Sequence, residues 1–395
     1  MEPHERPGNR VRVEVTDSEI LSERALGRAL LARQGLLERF DGPLVETVEA
    51  IGAMQGQAWA ALPVGLWSRM SSFAAADLYG ALEREELLWG IGIRGTLHLV
   101  SAREHPAYAV IAVEPTGAWH RAIGETTPAM DELRNEVLAF AKRQSRTGEE
   151  IGQFAEDWVS RNPGAIDERE VEAQRSLKWR PIYRWSALVR VPSGGAWGAK
   201  TPADHRAAPL PPGKRGAPAR GQALERIAIA HLKAFGPAAA EDVACWTGAR
   251  VPAVRALLEG MGERLVLFED GAGRTLYDLP GAPRPDPETP GPARLLGAFD
   301  STLLAYATKR RTRIVPESLR EVVYDKGNLR IQPTIVLDGL VAGTWSVEVR
   351  RGEATLTLRP VGRLGRTDRT ELRAEAGGLL EGLYADAKGR RVVVE

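Results

Sequence analysis

Little in this sequence points to secretion, to a membrane or to a generally basic nucleic-acid binder. The 395 residues include a single cysteine, Cys245, so no disulfide can form within the chain, which suits a reducing compartment. No run of about 18 apolar residues is present that would span a bilayer, and the segment MEPHERPGNR lacks the hydrophobic core of a signal peptide. With 53 basic and 52 acidic residues, any positive surface for DNA must be local. We therefore expect a cytoplasmic protein without a membrane partner.

Several common catalytic and cofactor signatures are absent as well. The sequence contains no P-loop, no GxGxxG motif after a strand, no CxxC and no HExxH. The six histidines are scattered, and only His98 and His105 are close in sequence. Cys245 lies in the middle of an apolar helical pattern and is expected to be a core residue rather than a nucleophile. We expect no metal site and no cofactor.

The clearest structural unit lies at residues 222–281. The segment ALERIAIAHLKAF has helical periodicity and stops at Gly-Pro, and two short helical segments follow it. RLVLFED and RTLYDLP then predict a hairpin around the turn Gly-Ala-Gly. Three helices followed by a hairpin are typical of a winged helix, in which Trp246 and Leu258 should be buried. The alternative is a small α+β domain without DNA contact.

Two earlier segments show a similar order of helices and a hairpin, and Pro/Gly-rich stretches separate the units. The sequence TIVLDGLVAGTWSVEVRRGEATLTLRP predicts a β-meander with Asp338-Gly339 as a hairpin turn. The expected fold is therefore α+β, with tandem winged-helix domains followed by a C-terminal region. The predicted units are a first winged helix at 16–122, a second at 123–200, a linker at 201–221, a third winged helix at 222–281, and an α/β region with the meander at 292–389.

A pair of glutamines is the first candidate site. Gln55 and Gln57 lie two residues apart at the predicted end of an apolar helix. On a helix, residues i and i+2 do not share a face, so the two amides converge only if the helix ends near Gln55. Gly56 favours such an ending. The alternative is that both are ordinary polar residues at a helix end.

The segment GIRGTLHLV is the second candidate. Arg94, Thr96 and His98 alternate with apolar residues, so on a strand they would point to one side. A polar face on a wing hairpin is a plausible surface for the phosphate backbone of DNA. The alternative is a solvated strand face.

The third candidate is the most basic stretch of the chain, ATKRRTRIVP. It contains Lys309, Arg310, Arg311 and Arg313, which could together neutralise several phosphates and give binding a steep salt dependence. The alternative is a solvated charge run.

Five segments in their order along the chain resemble one known family. They are QGQ with downstream LWSR, RGTLHLV, HLKAFGPAAAEDVACWTG, LLGAFDSTLLAY and PTIVLDGLVAGTW. Over about residues 18 to 385 the chain resembles the winged-helix family of bacterial DNA glycosylases typified by AlkZ and YcaQ. The resemblance implies a C-shaped assembly of tandem winged helices around a DNA channel. It also implies hydrolysis of the N-glycosidic bond of alkylated purines, and some members unhook interstrand crosslinks or protect antibiotic producers from their own DNA-alkylating toxins.

The family's catalytic motif is Gln-x-Gln, or Gln-x-Asp in another branch. Gln55 and Gln57 match the first form. Members often carry a larger apolar residue at the position of Gly56, and the glycine would loosen the placement of the two amides. No lysine is evident as an amine nucleophile, so we expect a monofunctional glycosylase without strand cleavage. A C-shaped clamp works as a monomer, and its expected partner is alkylated double-stranded DNA of the nucleoid. Winged helices often only bind DNA, so a non-catalytic regulator or lesion-shielding binder stays open. A protein-interaction scaffold is a third alternative.

Overall fold

The computed structural model describes residues 19–112, 127–183, 185–209, 218–325, 327 and 330–395, which form a mixed α/β protein. Within these ranges, no helix is long and apolar enough to cross a membrane.

The N-terminal half contains short helices and strands, and the strands β2 to β6 share one sheet. Its helices are α1 (Glu23–Arg33), α2 (Leu44–Ala50), α3 (Ala61–Trp67), α4 (Ala75–Glu83), α5 (His105–Ala112), α6 (Pro128–Lys142), α7 (Gly148–Arg161), α8 (Glu168–Ser176) and α9 (Arg180–Tyr183). Its strands are β1 (Ile20–Leu21), β2 (Met54–Gln55), β3 (Leu87–Ile91), β4 (Leu97–Ser101), β5 (Leu188–Val191) and β6 (Asp204–Ala207).

One sheet joins the first two predicted units. Its strand order is β2-β4-β3-β5-β6, and β3 pairs with β5 through Gly90 and Val189. The last strand, β6, lies inside the stretch that we predicted as a linker, so the expectation is wrong for residues 204–207. The Pro/Gly-rich composition of 201–221 misled because strand β6 is short and is stabilised by pairing with β5. Residues 210–217 of that predicted linker lie outside the described residues.

The unit at 222–281 has the predicted order of elements. Trp246 and Leu258 are 0% and 1% exposed, which confirms their predicted burial. An unpredicted contribution comes from β1, which pairs in parallel with the first hairpin strand and makes a three-stranded sheet. The elements are α10 (Arg220–Phe235), α11 (Ala240–Thr247), α12 (Val251–Gly260), β7 (Val266–Asp270) and β8 (Thr275–Asp278).

The C-terminal region contains the predicted meander within a five-stranded sheet of order β15-β14-β13-β12-β9. At the β12–β13 turn, Asp338 and Gly339 both have positive φ, 44° and 87°, as the tightest hairpins require. The final strand, which runs parallel to β14 after a crossover helix, was not predicted. The elements are β9 (Arg294–Leu296), α13 (Arg320–Val323), β10 (Tyr324–Asp325), β11 (Arg330–Ile331), β12 (Thr334–Leu337), β13 (Leu340–Arg350), β14 (Glu353–Pro360), α14 (Arg366–Leu383) and β15 (Gly389–Val394).

Candidate active site

The glutamine pair lies at the edge of the first sheet and not at a helix end. Helix α2 ends at Ala50, and Gln55 belongs to β2, where it pairs with His98 of β4. The Gly56 N–H continues this pairing by donating to the Leu97 carbonyl at 2.7 Å. The predicted helix end is therefore wrong, because main-chain pairing with β4 holds this segment extended.

Both glutamine amides bond to the connection between β3 and β4. The Gln55 Oε1 accepts from Arg94 Nη2 at 3.0 Å, and the Gln57 Oε1 accepts from the Leu97 N–H at 3.3 Å. Gln55 is partly buried, whereas Gln57 is exposed. Leu97 is the first residue of β4 and Arg94 lies just before it, so both amides lie at the N-terminal end of β4.

Gly56 fits its place tightly. A Cβ on this residue would lie 2.8 Å from Trp89 Cδ1 and closer still to Nε1. The Trp89 Nε1–H donates to the Gly56 carbonyl at 3.0 Å. A larger residue, which the family pattern suggests, would force the Trp89 ring or this backbone to move, so glycine allows the close packing of the motif against Trp89.

A cluster of buried polar residues, Arg69, Asp300 and Ser301, lies next to β2. The Gln55 N–H donates to Ser301 Oγ at 3.0 Å, and that hydroxyl donates to the Ala53 carbonyl at 3.0 Å. Next to it, Arg69 pairs with Asp300 through two bonds of 2.9 and 2.8 Å, and both residues are buried. A fully hydrogen-bonded buried pair of this kind holds its neighbours in one geometry.

Sequence reasoning missed Arg69, Asp300 and Ser301 as parts of the site. Arg69 and Asp300 are 231 residues apart in sequence, so no local pattern connects them. The available signal was the resemblance itself, because Arg69 ends LWSR and the other two lie in LLGAFDSTLLAY.

A small pocket opens beside this cluster. Its cavity volume is about 10 Å³, which is room for roughly one water molecule. The polar residues Gln55, Arg69 and Asp300 and the apolar residues Met54 and Leu62 are among those that line it.

The second candidate surface, Arg94, Thr96 and His98, does not form. Arg94 lies in a 3₁₀ turn with a φ of 57°, and β4 begins only at Leu97, so the three residues do not alternate along one strand. His98 is 0% exposed, its Nδ1 lies 2.9 Å from the Thr96 carbonyl, and burial lowers its pKa to about 3. The prediction of a shared phosphate-binding face is wrong for His98, which is a neutral interior residue.

The basic segment is also not one exposed patch. Arg310 Nε donates to the buried carboxylate of Asp242 at 2.8 Å, and Arg313 is 5% exposed and donates to the Pro237 carbonyl at 2.9 Å. Arg311 is partly buried and donates to the Tyr306 carbonyl at 3.2 Å. Only Lys309 of the four is exposed. The prediction of four phosphate contacts is therefore wrong for Arg313 and unsupported for Arg310, because both guanidinium groups donate to acceptors within the protein.

Cys245, which we expected to be a core residue, is intermediate in burial, and its Sγ lies 3.7 Å from the Tyr306 carbonyl oxygen. Across the described ranges, no group of three or more His, Cys, Asp or Glu side chains is placed to hold a metal ion.

Comparisons with known proteins agree with the resemblance found in the sequence. A family model described as DNA glycosylase AlkZ-like matches residues 48–381. Among solved structures, the chain is similar to the DNA glycosylase AlkZ of Streptomyces sahachiroi, with a TM-score of 0.76 and 23% sequence identity, over 95% of this chain and 100% of that one. At this identity the structural similarity shows a shared fold. The comparison with curated proteins gives no match.

Proposed function

The chain belongs to the AlkZ-like family of DNA glycosylases, and we propose that it hydrolyses the N-glycosidic bond of cationic N7- or N3-alkylated purines in duplex DNA, with Gln55 and Gln57 as the catalytic pair. The observation that supports this proposal is the placement of the two amides at the end of β4. Each amide oxygen accepts a hydrogen bond, from Arg94 for Gln55 and from the Leu97 N–H for Gln57, and the Gln57 side chain is exposed to solvent.

The chemistry of a charged lesion suits a pair of amides. An alkylated purine that carries a positive charge leaves as a neutral base and needs little help from a general acid. What remains is to place a water at the anomeric carbon and to stabilise a sugar with oxocarbenium character, which is mainly a problem of positioning. A glutamine amide is a very poor base, but it can accept from a water and donate to an oxygen.

The two amides have different surroundings, which supports different roles. Each amide oxygen has two lone pairs, and one of them accepts the bond from Arg94 or from Leu97. Gln55 lines the pocket with room for roughly one water, so we assign the second lone pair of its oxygen to the attacking water. Gln57 is exposed, and we assign its amide to the deoxyribose.

The pocket also bears on the substrate and the products. We propose that an extruded base rests beside the exposed Gln57 side chain. That arrangement is compatible with bulky adducts and with crosslinked bases, and hence with a role in repair or in toxin self-resistance. No lysine is among the described residues that line the pocket, and we propose a monofunctional glycosylase that leaves the strand intact.

For DNA binding we propose tandem winged helices at 16–122, 123–200 and 222–281, arranged in a C shape around the duplex and working as a monomer on nucleoid DNA. The sheet that the first two units share supports a fixed arrangement of these two units relative to each other. Lys309, which is exposed, is our candidate for a phosphate contact.

The test is incubation of the purified protein with a duplex that carries a single N7-methylguanine, followed by detection of the released base. We expect release in a single turnover without strand cleavage, and far slower release of hypoxanthine, which is uncharged. Parallel duplexes with 3-methyladenine, a bulky N7 adduct and an N7-linked interstrand crosslink would define the substrate range. Tight binding without release from any cationic adduct would contradict the proposal and favour a non-catalytic DNA-binding protein.

A further inference from the structure

The guanidinium of Arg94 connects the glutamine motif to a distant helix. Its Nη2 donates to Gln55 Oε1 at 3.0 Å, and its Nη1 donates to the Trp246 carbonyl at 2.7 Å. Its Cζ also lies 4.7 Å from the centre of the Trp246 ring. One side chain thus bonds both to a candidate catalytic amide and to helix α11, which belongs to another part of the chain.

The partner on α11 explains why an arginine is stable there. Trp246 lies in the last turn of α11, where carbonyls have no partner within the helix and the helix dipole favours a cation. The aromatic face beneath the guanidinium adds attraction to the same charge. The left-handed backbone of Arg94, with φ 57° and ψ 17°, is uncommon for a residue with a side chain, and it places the guanidinium between these partners.

The charge state and bonding capacity of Arg94 determine which way the Gln55 amide faces. Burial lowers the pKa of Arg94 to about 10, which leaves it protonated at neutral pH. A guanidinium only donates hydrogen bonds, so the amide oxygen of Gln55 must face it, and the amide N–H groups face away. Without this donor, the oxygen and nitrogen ends of the amide would be free to exchange places.

We propose that Arg94 is a positioning residue for base excision, which fixes the amide orientation of Gln55 and ties it to helix α11. This inference rests on the proposed function of Gln55. It differs from a phosphate contact, because the effect is exerted through Gln55 and each Nη atom already donates one bond to a protein acceptor.

The test is a double-mutant cycle on single-turnover excision of N7-methylguanine, with the parent, Arg94→Met, Gln55→Ala and the double variant. We expect Arg94→Met to slow excision about 10- to 100-fold, as misplacement of a catalytic group does, with little change in DNA affinity or its salt dependence. In the Gln55→Ala background, the same substitution should have almost no further effect. Arg94→Lys, which keeps a donor to one of the two acceptors, should give an intermediate rate.

Arg84→Met is the matched control, because Arg84 is an exposed arginine paired with Glu86, and this variant should excise at the parent rate. Equal slowing by Arg94→Met in both backgrounds, or a loss of affinity with a shallower salt slope, would overturn the positioning role. Urea unfolding of the same four proteins reports independently whether Arg94 and Gln55 are coupled, and an absence of coupling would overturn the contact. If the parent itself releases no base, the proposed function and the excision role fail together, while the coupling still tests the contact.

Discussion

The glutamine motif and the basic segment at 309–313 are both polar stretches that the sequence marked as functional, yet the fold uses them in opposite ways. Gln55 and Gln57 bond to the protein through their amide oxygens, and the Gln57 side chain is exposed. In the basic segment, Arg310 and Arg313 bond to protein acceptors, and Lys309 is the only one of the four basic residues that is classed as exposed.

The difference arises from what each residue type needs when it is partly buried. A cation that leaves water needs a hydrogen-bond acceptor or an opposite charge. The Asp242 carboxylate, which is 0% exposed, needs a cation for the same reason. A neutral amide has both a donor and an acceptor end, so one end can bond to the protein while the other stays available. A dense run of basic residues in the sequence therefore does not by itself predict contact with DNA, because buried carboxylates such as Asp242 can pair with these residues.

The largest expected effect separates two neighbours in the basic segment. Arg310→Ala leaves the buried Asp242 carboxylate without its cation and should lower the free energy of unfolding by about 3 kcal/mol. Lys309→Ala removes an exposed charge and should change it by less than about 0.5 kcal/mol. Urea denaturation of both variants measures this difference. Similar stabilities would show that Arg310 is not an internal residue.

A smaller effect is expected from a methyl group at the centre of the glutamine motif. Gly56→Ala places a Cβ against the Trp89 ring and should destabilise the protein by about 2 kcal/mol, as overpacking does. It should also slow excision, because the backbone between the two glutamines must shift. Gly95→Ala, at a glycine with no atoms within 4 Å of a new Cβ but with a φ of 66°, separates backbone strain from crowding. Parent-like excision by Gly56→Ala would mean that the motif tolerates movement.

Three buried histidines should make stability fall in mild acid, whereas the arginines of the basic segment stay charged. Burial lowers the pKa of His98 to about 3 and those of His105 and His231 to about 4. The unfolded chain binds these protons below about pH 6.5 and the folded chain does not, so stability decreases as the pH falls from there. Glu104, whose pKa burial raises to about 7, opposes this in part.

We expect a net loss of about 1 to 2 kcal/mol between pH 6.5 and pH 5.5, measured by urea unfolding at each pH. His231→Gln should reduce this slope by removing one of the titrating groups. A stability that is constant or rises over this range would contradict the burial of the three histidines.

The smallest effect concerns DNA affinity. Lys309→Ala should weaken binding to damaged and undamaged duplexes equally, and it should reduce the salt slope by roughly one, as the loss of a single phosphate contact does. If the whole basic segment contacted DNA, each further cation would add to the slope. A slope that is unchanged by Lys309→Ala would show that Lys309 makes no phosphate contact.

The parts of the fold that were predictable are those with local patterns. Helical periodicity predicted α10, α11 and α12, and the turn glycines predicted the β7–β8 hairpin, because these elements form from contacts close in sequence. The strand β1 was not predictable, since two residues carry no periodicity and its partner β7 is about 250 residues away. The same holds for the Arg69–Asp300 pair behind the glutamines.

The site itself was only half predictable. The motif was found by its resemblance to a family, and the resemblance also contained Arg69 and Asp300 without showing that they meet. The direction of Arg94 was not predictable, because it depends on a left-handed turn and on a helix terminus that reaches it from another part of the chain. Alternation of residue types indicated a strand where the backbone turns.

The most direct test of the account is single-turnover excision of N7-methylguanine by the parent and by Gln57→Ala, with DNA binding followed in parallel. If the amide acts chiefly in the transition state, its loss lowers the rate of the chemical step more than it lowers binding. We expect Gln57→Ala to excise about a hundred- to a thousand-fold more slowly than the parent, with nearly unchanged affinity. Equal excision by the two proteins would contradict it and remove Gln57 from the mechanism.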